Sequence, residues 1–396
     1  MDDIGMDFTW SDDDELFRDE LRAFLDAHSL GAPPKGASPR LAWQKAWQAV
    51  LVDGGYAGPS WPKLYGGMDL PFSRQVVYQQ EIARARVPAH PGTGVQIAAP
   101  AIIKYGTEEQ RRRFLRPMLR ADVVWAQGFS EPEAGSDLPA LRTTAVRDGD
   151  HYVVTGQKVW SSSADIADML FTLVRTGSPD SRHEGISYLM IDLRSPGVTV
   201  RPLRDLTGGS GFTEIFLDQV GVPVANRIGG ENEGWTVTRT SLGHERAAGA
   251  LNQAAVYRRV VSELEELAKV TGATSDAVLR QRLAALECKV RIMTLNAMRT
   301  ISDIARLGEP GPASSVSRLF NSTFEQDLHV LALDILGIRG TLERADPGAV
   351  EHGRWTWGFL RTRASTIGAG TAEIQRNTIA ERLLGLPQEP SPLKGA

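Results

Sequence analysis

The residues best placed to do chemistry begin in the stretch WAQGFSEPEAGSD, residues 125–137, where an apolar run gives way to Pro, Gly, Ser and Asp. Those residue types break strands and leave backbone N–H groups exposed, so the loop from Glu131 to Asp137 can cradle a phosphate or a flat polar ring. Turn chemistry by itself also describes a plain solvated loop. Downstream, GQKVWSS at 156–162 carries Trp160, which in isolation reads as ordinary packing in a β core. Near the C-terminus GAGTAEIQR, residues 368–376, sets Thr371 and Glu373 at the opening of a helix, where free N–H groups and the positive end of the dipole suit a polar cofactor edge. A generic capped helix start looks the same, and Gly368-Ala369-Gly370 lacks the strand-turn-helix setting of a dinucleotide fingerprint. Finally, Glu245-Arg246 in the segment 242–246 puts a carboxylate beside a guanidinium on a helix, an arrangement that is ordinarily a solvated pair.

The elements that must position these groups change character twice along the chain. Residues 12–28 have Leu16, Phe17, Leu21, Phe24 and Leu25 at helical spacing after an acidic first turn. A second helix is expected to start at Ser38-Pro39, with Trp43 and Trp47 on its core face. Helices over 73–86 and 94–105 follow, and Thr107 with Gln110 forms a capping box for another. From residue 123 the period shifts to two, with strand-like runs at 151–155, 169–175, 186–193, 198–203 and 213–217 and a hairpin turn at Asp148-Gly149. Long helical patterns then return at 235–270, 276–307, 314–336 and 371–384, enough for a four-helix bundle. The expected architecture is α+β: an N-terminal helical domain over 1–121, a central antiparallel β domain over 122–230 and a C-terminal bundle over 231–396.

Composition narrows the function classes. A chain of 396 residues with 42% apolar content is ordinary for a globular protein of two or three domains. With 44 basic and 48 acidic residues, net charge −4, it carries no electrostatic footprint for nucleic acid; Arg111-Arg112-Arg113 reads as a solvated helix face. Cys288 is the single cysteine, expected in the core, so no intrachain disulfide is possible, which suits a reducing cytosol. The acidic N-terminus lacks an apolar signal region and no apolar run is long enough to span a bilayer, so a cytoplasmic protein without membrane contact is expected. The seven histidines show no paired metal-ligand spacing, and no metal is expected.

Taken together, SEPEAGSD, GQKVWSS and GTAEIQR resemble the acyl-CoA dehydrogenase family of flavoproteins, in the right order and over nearly the whole chain. The resemblance implies FAD between the β domain and the bundle, with an acyl-CoA or acyl-carrier thioester against the flavin ring. It implies loss of an α-proton and a β-hydride to give a trans-2-enoyl thioester, with an electron-transfer flavoprotein as oxidant. Carried over by segment, Gln127, Phe129, Ser130, Trp160 and Ser162 fall on flavin contacts, Thr371 and Glu373 on a further cofactor contact, and Ser136 on the pantetheine arm. Where many members carry their catalytic glutamate this chain has Ala369, whose backbone N–H remains available to a thioester carbonyl. A subset of the family places the base in an ER segment of a bundle helix, which makes Glu245 the expected base and Arg246 a substrate or orienting contact. The family's glutamine that meets the FAD pyrophosphate across the subunit interface falls on Asp334, near Gly337, where a carboxylate would repel phosphate unless bridged by water or a cation, and the Arg-x-x-Phe-Gly segment that reaches a neighbouring subunit's FAD is missing around 276–285. Family members are dimers or tetramers, some heterotetrameric. Two alternatives stay open: an oxygen-dependent oxidase or monooxygenase on the same fold, and a half-site subunit of a heteromeric dehydrogenase.

Overall fold

The computed structural model describes residues 10–307, 311, 313–344 and 346–388, without the side chains of 242–252, 301–307 and 313. Helix α1 (Asp12–Ala27) starts at a capping box in which Ser11 and Asp14 satisfy each other's backbone N–H groups, worth about 1 kcal/mol. Helix α2 (Ala37–Asp53) begins earlier than its Ser-Pro pair suggests: Gly36, at φ +94°, makes the turn, no side chain caps the helix, and Pro39 is tolerated inside the first turn. Helices α3 (Phe72–Ala85), α4 (Gly94–Tyr105) and α5 (Glu108–Leu119) complete the helical third, α5 with the expected Thr107/Gln110 box.

The middle of the chain is one eight-stranded sheet built from β1 (Trp125–Gly128), β2 (Thr144–Asp148), β3 (His151–Ser162), β4 (Met169–Arg175), β5 (Ile186–Asp192), β6 (Val198–Leu203), β7 (Phe212–Pro223) and β8 (Arg227–Ile228). Strand order is β6-β7-β3-β2-β4-β5-β8, antiparallel through most of its ladders. It is nonetheless mixed, because β1 lies parallel to β4 with Gln127 opposite Phe171. The β2–β3 hairpin turns at Gly149-Asp150, one residue later than expected: Asp148 already pairs with His151, and Gly149 takes φ +60°.

Three long helices follow: α6 (Gly234–Val270), α7 (Ala277–Leu307) and α8 (Ala313–Leu336). The fourth helical layer is divided into α9 (Arg354–Arg361), a 3₁₀ turn (Thr362–Thr366), α10 (Ala372–Thr378) and a single π turn (Ile379–Leu383). One apolar core runs from α1 through Trp47, Ile102, Leu115 and Trp125 to Phe129, Tyr188 and Val237, joining the N-terminal helices to one face of the sheet. A second, centred on Val261, Val290, Leu328 and Trp355, belongs to the bundle. Each fully buried large side chain in these cores contributes about 1.5–3 kcal/mol. Cys288 is not among them; it is exposed on α7. Of the three arginines, Arg112 and Arg113 are exposed, Arg112 with Glu108 and Arg113 donating to Asn226, while Arg111 is half-buried and donates to the Ile103 carbonyl. Among the described residues no helix is long and apolar enough to cross a membrane.

Candidate active site

The two upstream motifs are joined by a buried ion pair. Counting by twos from the inward Tyr152 and Val154 along β3 brings Lys158 inward, and its side chain is fully buried. Its ammonium donates to Glu131 Oε1 at 2.7 Å and to the Phe129 carbonyl at 3.2 Å. Glu131 accepts in addition from the backbone N–H groups of Arg142 (2.6 Å) and Thr143 (2.9 Å). Burial pushes the Glu131 carboxyl up, but the Lys158 charge and these hydrogen bonds outweigh it and hold it below the usual glutamate range. Arg175 extends the network, its guanidinium donating to the carbonyls of Pro139 and Arg182, both at 2.5 Å. The loop of residues 131–137 is thus an outer turn with a charged foundation.

On the outer side of that foundation β3 bulges. The ladder to β7 slips between Lys158 and Ser161, and Trp160 takes φ +61°, a conformation costly for any residue but glycine. The slip turns the indole outward, so Trp160 is 61% exposed and touches Phe212 edge-on at 5.9 Å. The β-core reading of Trp160 is therefore wrong in this fold. Beside it, the Val159 N–H donates to the Ser130 carbonyl at 2.9 Å, which sets Ser130 and Trp160 side by side. Phe129 is buried between Phe171 and Tyr188, edge-on to both, while Gln127, Ser130 and Ser162 are half-buried and Ser136 is exposed. Among the described residues the N–H groups of Phe129 and Ser130 meet no acceptor. An exposed aromatic face beside unpaired backbone donors fits a flat heteroaromatic ring with polar edges such as the isoalloxazine of FAD.

The C-terminal segment reaches the same place. The Arg361 guanidinium lies over the Phe212 ring, 5.2 Å from its centroid, so the end of α9 is anchored next to Trp160. From there the chain runs to Ala369, exposed at φ +53°, and to Thr371, whose hydroxyl accepts from the Ile374 N–H at 3.2 Å. Glu373 is exposed and pairs with Arg376 at 3.2 Å. Below Phe129, Tyr188 meets Ser241 of α6 at 3.4 Å between hydroxyl oxygens. Glu245 and Arg246 lie on α6 but their side chains fall outside the described residues.

Asp334 and Gly337, expected at a contact across the subunit interface, stand apart from this cluster. Asp334 and Gly337 sit at the far end of α8, about 24 Å from Arg318 by helical rise, whereas Arg318 touches the Ala369 segment. Asp334 is bound to Arg282 at 2.6 Å, so its charge is not bare. Beside the 131–137 loop, Arg182 donates to Asp137 at 2.6 Å from a strained backbone (φ +47°), and His183 stacks edge-on to Trp235 at 4.5 Å. The cleft of about 450 Å³ between α3, α6 and α7, lined by Arg84, Arg86, Arg258 and Arg259, contains none of the motif residues and is not this site.

Comparison with known proteins agrees with this arrangement. Residues 11–122, 126–220 and 232–384 match the N-terminal, middle and C-terminal domains of acyl-CoA dehydrogenases. The chain belongs to the acyl-CoA dehydrogenase family. It is an oxidoreductase of that FAD-dependent family. It is 38% identical to acyl-CoA dehydrogenase IpdE1 of Mycobacterium tuberculosis over 95% of this chain and 99% of that protein. Among solved structures it is similar to the ChsE4-ChsE5 complex of Mycobacterium tuberculosis, with TM-score 0.82 and 32% identity over 97% of this chain and 100% of that one. It is also similar to the Tcur3481-Tcur3483 steroid ACAD, with TM-score 0.84 and 29% identity over 97% and 100%.

Glu131, Lys158, Phe212, Arg361 and Arg318 are site-building residues that the motif reading passed over. For Lys158 the signal was present: its phase matches Tyr152 and Val154, and an inward lysine needs an acid.

Proposed function

We propose that this acyl-CoA dehydrogenase desaturates an acyl-CoA thioester between its α and β carbons, giving the trans-2-enoyl thioester, with Glu245 as the base. The observation that carries the reading is the pairing of the exposed, strained Trp160 with Ser130 on one motif face, backed by Phe129 and Tyr188 against Ser241. Position 245 lies one helical turn beyond Ser241 on α6, about 6 Å further along the axis.

In this reading Gln127, Phe129, Ser130, Trp160 and Ser162 hold the ring of FAD, with Thr371 and Glu373 at its edge. FAD, when bound, supplies the acceptor for the β-hydride. Ser136 and Arg246 orient the pantetheine arm, and the Ala369 N–H donates to the thioester carbonyl, which acidifies the α-carbon. Glu245 takes the α-proton; closure of the acyl group over the site removes water and raises the carboxylate's basicity. An electron-transfer flavoprotein is the proposed oxidant.

The names of similar proteins support a substrate class: a bulky, ring-bearing acyl group of the kind a steroid dehydrogenase handles. They also support a partner chain, since two similar structures are two-component complexes. The position of Asp334 and Gly337, remote from Trp160 and tied to Arg282, favours a cofactor contact made across a subunit boundary. Anaerobic mixing of the protein with short, long, branched and steroid-like acyl-CoAs, alone and with its co-purifying partner, tests the reading. Bleaching of the flavin band in wild type that is lost in Glu245→Gln is the expected result; bleaching that survives in the mutant removes Glu245 from the role.

A further inference from the structure

Building on the dehydrogenase reading above, we propose that Arg318 is a positioning residue that aims the Ala369 N–H at the thioester carbonyl. One face of α8 is written for the segment that precedes α10. Arg318 Nη2 donates to the carbonyl of Gly368 at 2.6 Å and to that of Ser365 at 2.8 Å. Two turns on, Glu325 accepts from the Ser365 hydroxyl, and its neighbour Gln326 donates to the Thr362 carbonyl at 3.1 Å and to the Thr366 hydroxyl at 3.3 Å. These positions, 318, 325 and 326, share a helix face by their spacing.

The consequence for chemistry comes from peptide geometry. The bond between Gly368 and Ala369 is trans, so its C=O and N–H point in opposite directions within one plane. With the Gly368 oxygen drawn onto Arg318, the Ala369 N–H is directed away from α8. Among the described residues that N–H has no acceptor. The other flank of the segment is anchored beside Trp160 through Arg361 over Phe212. Ala369 and Gly370 take φ +53° and +89°, and among the described residues the side chain on their carbonyls is Gln375, at 3.5 and 3.3 Å. Backbone held in this region needs outside support to keep one orientation. Arg318 provides it through the contact adjoining the Ala369 N–H, on the Gly368 carbonyl.

An oxyanion donor works only when its direction is fixed before the charge develops, and removing such a donor costs about 10²–10³ in turnover. Loosening it is expected to cost less, about 10- to 100-fold. The test uses the full-length, FAD-loaded protein, with its partner chain where one co-purifies, and the acyl-CoA that reduces wild-type flavin fastest. In Arg318→Met the anaerobic flavin-reduction rate is expected to fall about 10- to 100-fold while the acyl-CoA dissociation constant moves less than about threefold, with Arg318→Lys recovering part of the rate. The carbon-13-edited infrared carbonyl band of the bound enoyl-CoA product should move back toward its frequency in water. A merely structural role predicts lost FAD and lowered melting temperature with an unchanged carbonyl band. Should Arg318→Met fail to hold FAD, Ser365→Ala, which frees the same segment from Glu325, is read in the same way. Full rate and an unshifted band in the variant overturn the proposal; a wild type that no acyl-CoA reduces overturns the dehydrogenase reading instead.

Discussion

Replacing Lys158 by Met isolates the foundation of the motif loop. Methionine keeps most of the volume, so packing against the sheet changes little and the loss is electrostatic. What remains is a carboxylate, Glu131, only 7% exposed, which has lost a 2.7 Å ammonium contact but retains the Arg142 and Thr143 N–H donors. Removing one partner of a buried pair costs about 3–5 kcal/mol, and the two remaining donors place the expected cost near the lower end, about 3 kcal/mol. Glu131→Gln in the same background removes the stranded charge and should return about half of that loss, a coupling visible in a double-mutant cycle. Urea denaturation followed by tryptophan fluorescence gives the energies, and flavin fluorescence in the filtrate after dilution gives retention of FAD. A Lys158→Met protein within about 1 kcal/mol of wild type that still holds FAD would refute the idea that this pair supports the loop.

Acidification should reproduce the effect without mutation. Because the Glu131 carboxyl is held below its unfolded value of 4.5, its stabilisation is complete above that pH and is lost as pH falls through the lower folded value, so FAD release on acid titration should be blunted in Glu131→Gln. Trp160→Ala should leave stability within about 1 kcal/mol, since the ring is mostly exposed and its backbone strained, yet weaken FAD binding at least tenfold by fluorescence titration. Asp334→Ala removes only an exposed pair with Arg282, so stability should change by less than about 1 kcal/mol in thermal melts. Gly92→Ala places a methyl 2.5 Å from the Trp125 carbonyl at φ +75° and should cost about 2 kcal/mol or more, read by urea denaturation.

Much of this was legible because the chemistry sits in local motifs. The strand boundaries at 169–175 and 198–203 followed from period-two runs, and α5 from its capping box. Tertiary consequences were not legible. Trp160 obeys the inward phase of β3 and still faces out, because a one-residue slip against β7 reverses the alternation, and a slip is a property of the pair of strands. The helix expected at 371–384 is α10 followed by a π turn, and α9 was not expected at all. Cys288 follows Leu283 and Leu286 at apolar spacing, yet the core face of α7 passes through Leu283, Leu286, Val290 and Met293 and leaves it outside. Asp334 looked hostile to a phosphate until Arg282, remote in sequence, was found beside it.

The apolar cores also explain why the site sits where it does. Helix α6 contributes Val237 to the core shared by the N-terminal helices and sheet, and Ala254, Val261 and Leu264 to the core of the bundle. The stretch between, which contains position 245, spans the seam between two separately stabilised bodies. Motif groups from the β domain and from the 361–371 segment meet at the same seam through Arg361 over Phe212, with Lys158–Glu131 holding the β side and Arg318–Gly368 the bundle side, all ties that are polar or aromatic. Such ties can be lost without emptying either core, so each is expected to loosen the site at less than the cost of global unfolding. A thioester bound across the seam bridges both bodies and gains rigidity from each, so substrate should protect the 361–371 amides from hydrogen exchange more than those of β4. Equal protection in the two segments would show that the seam does not open, and that the polar ties set orientation alone.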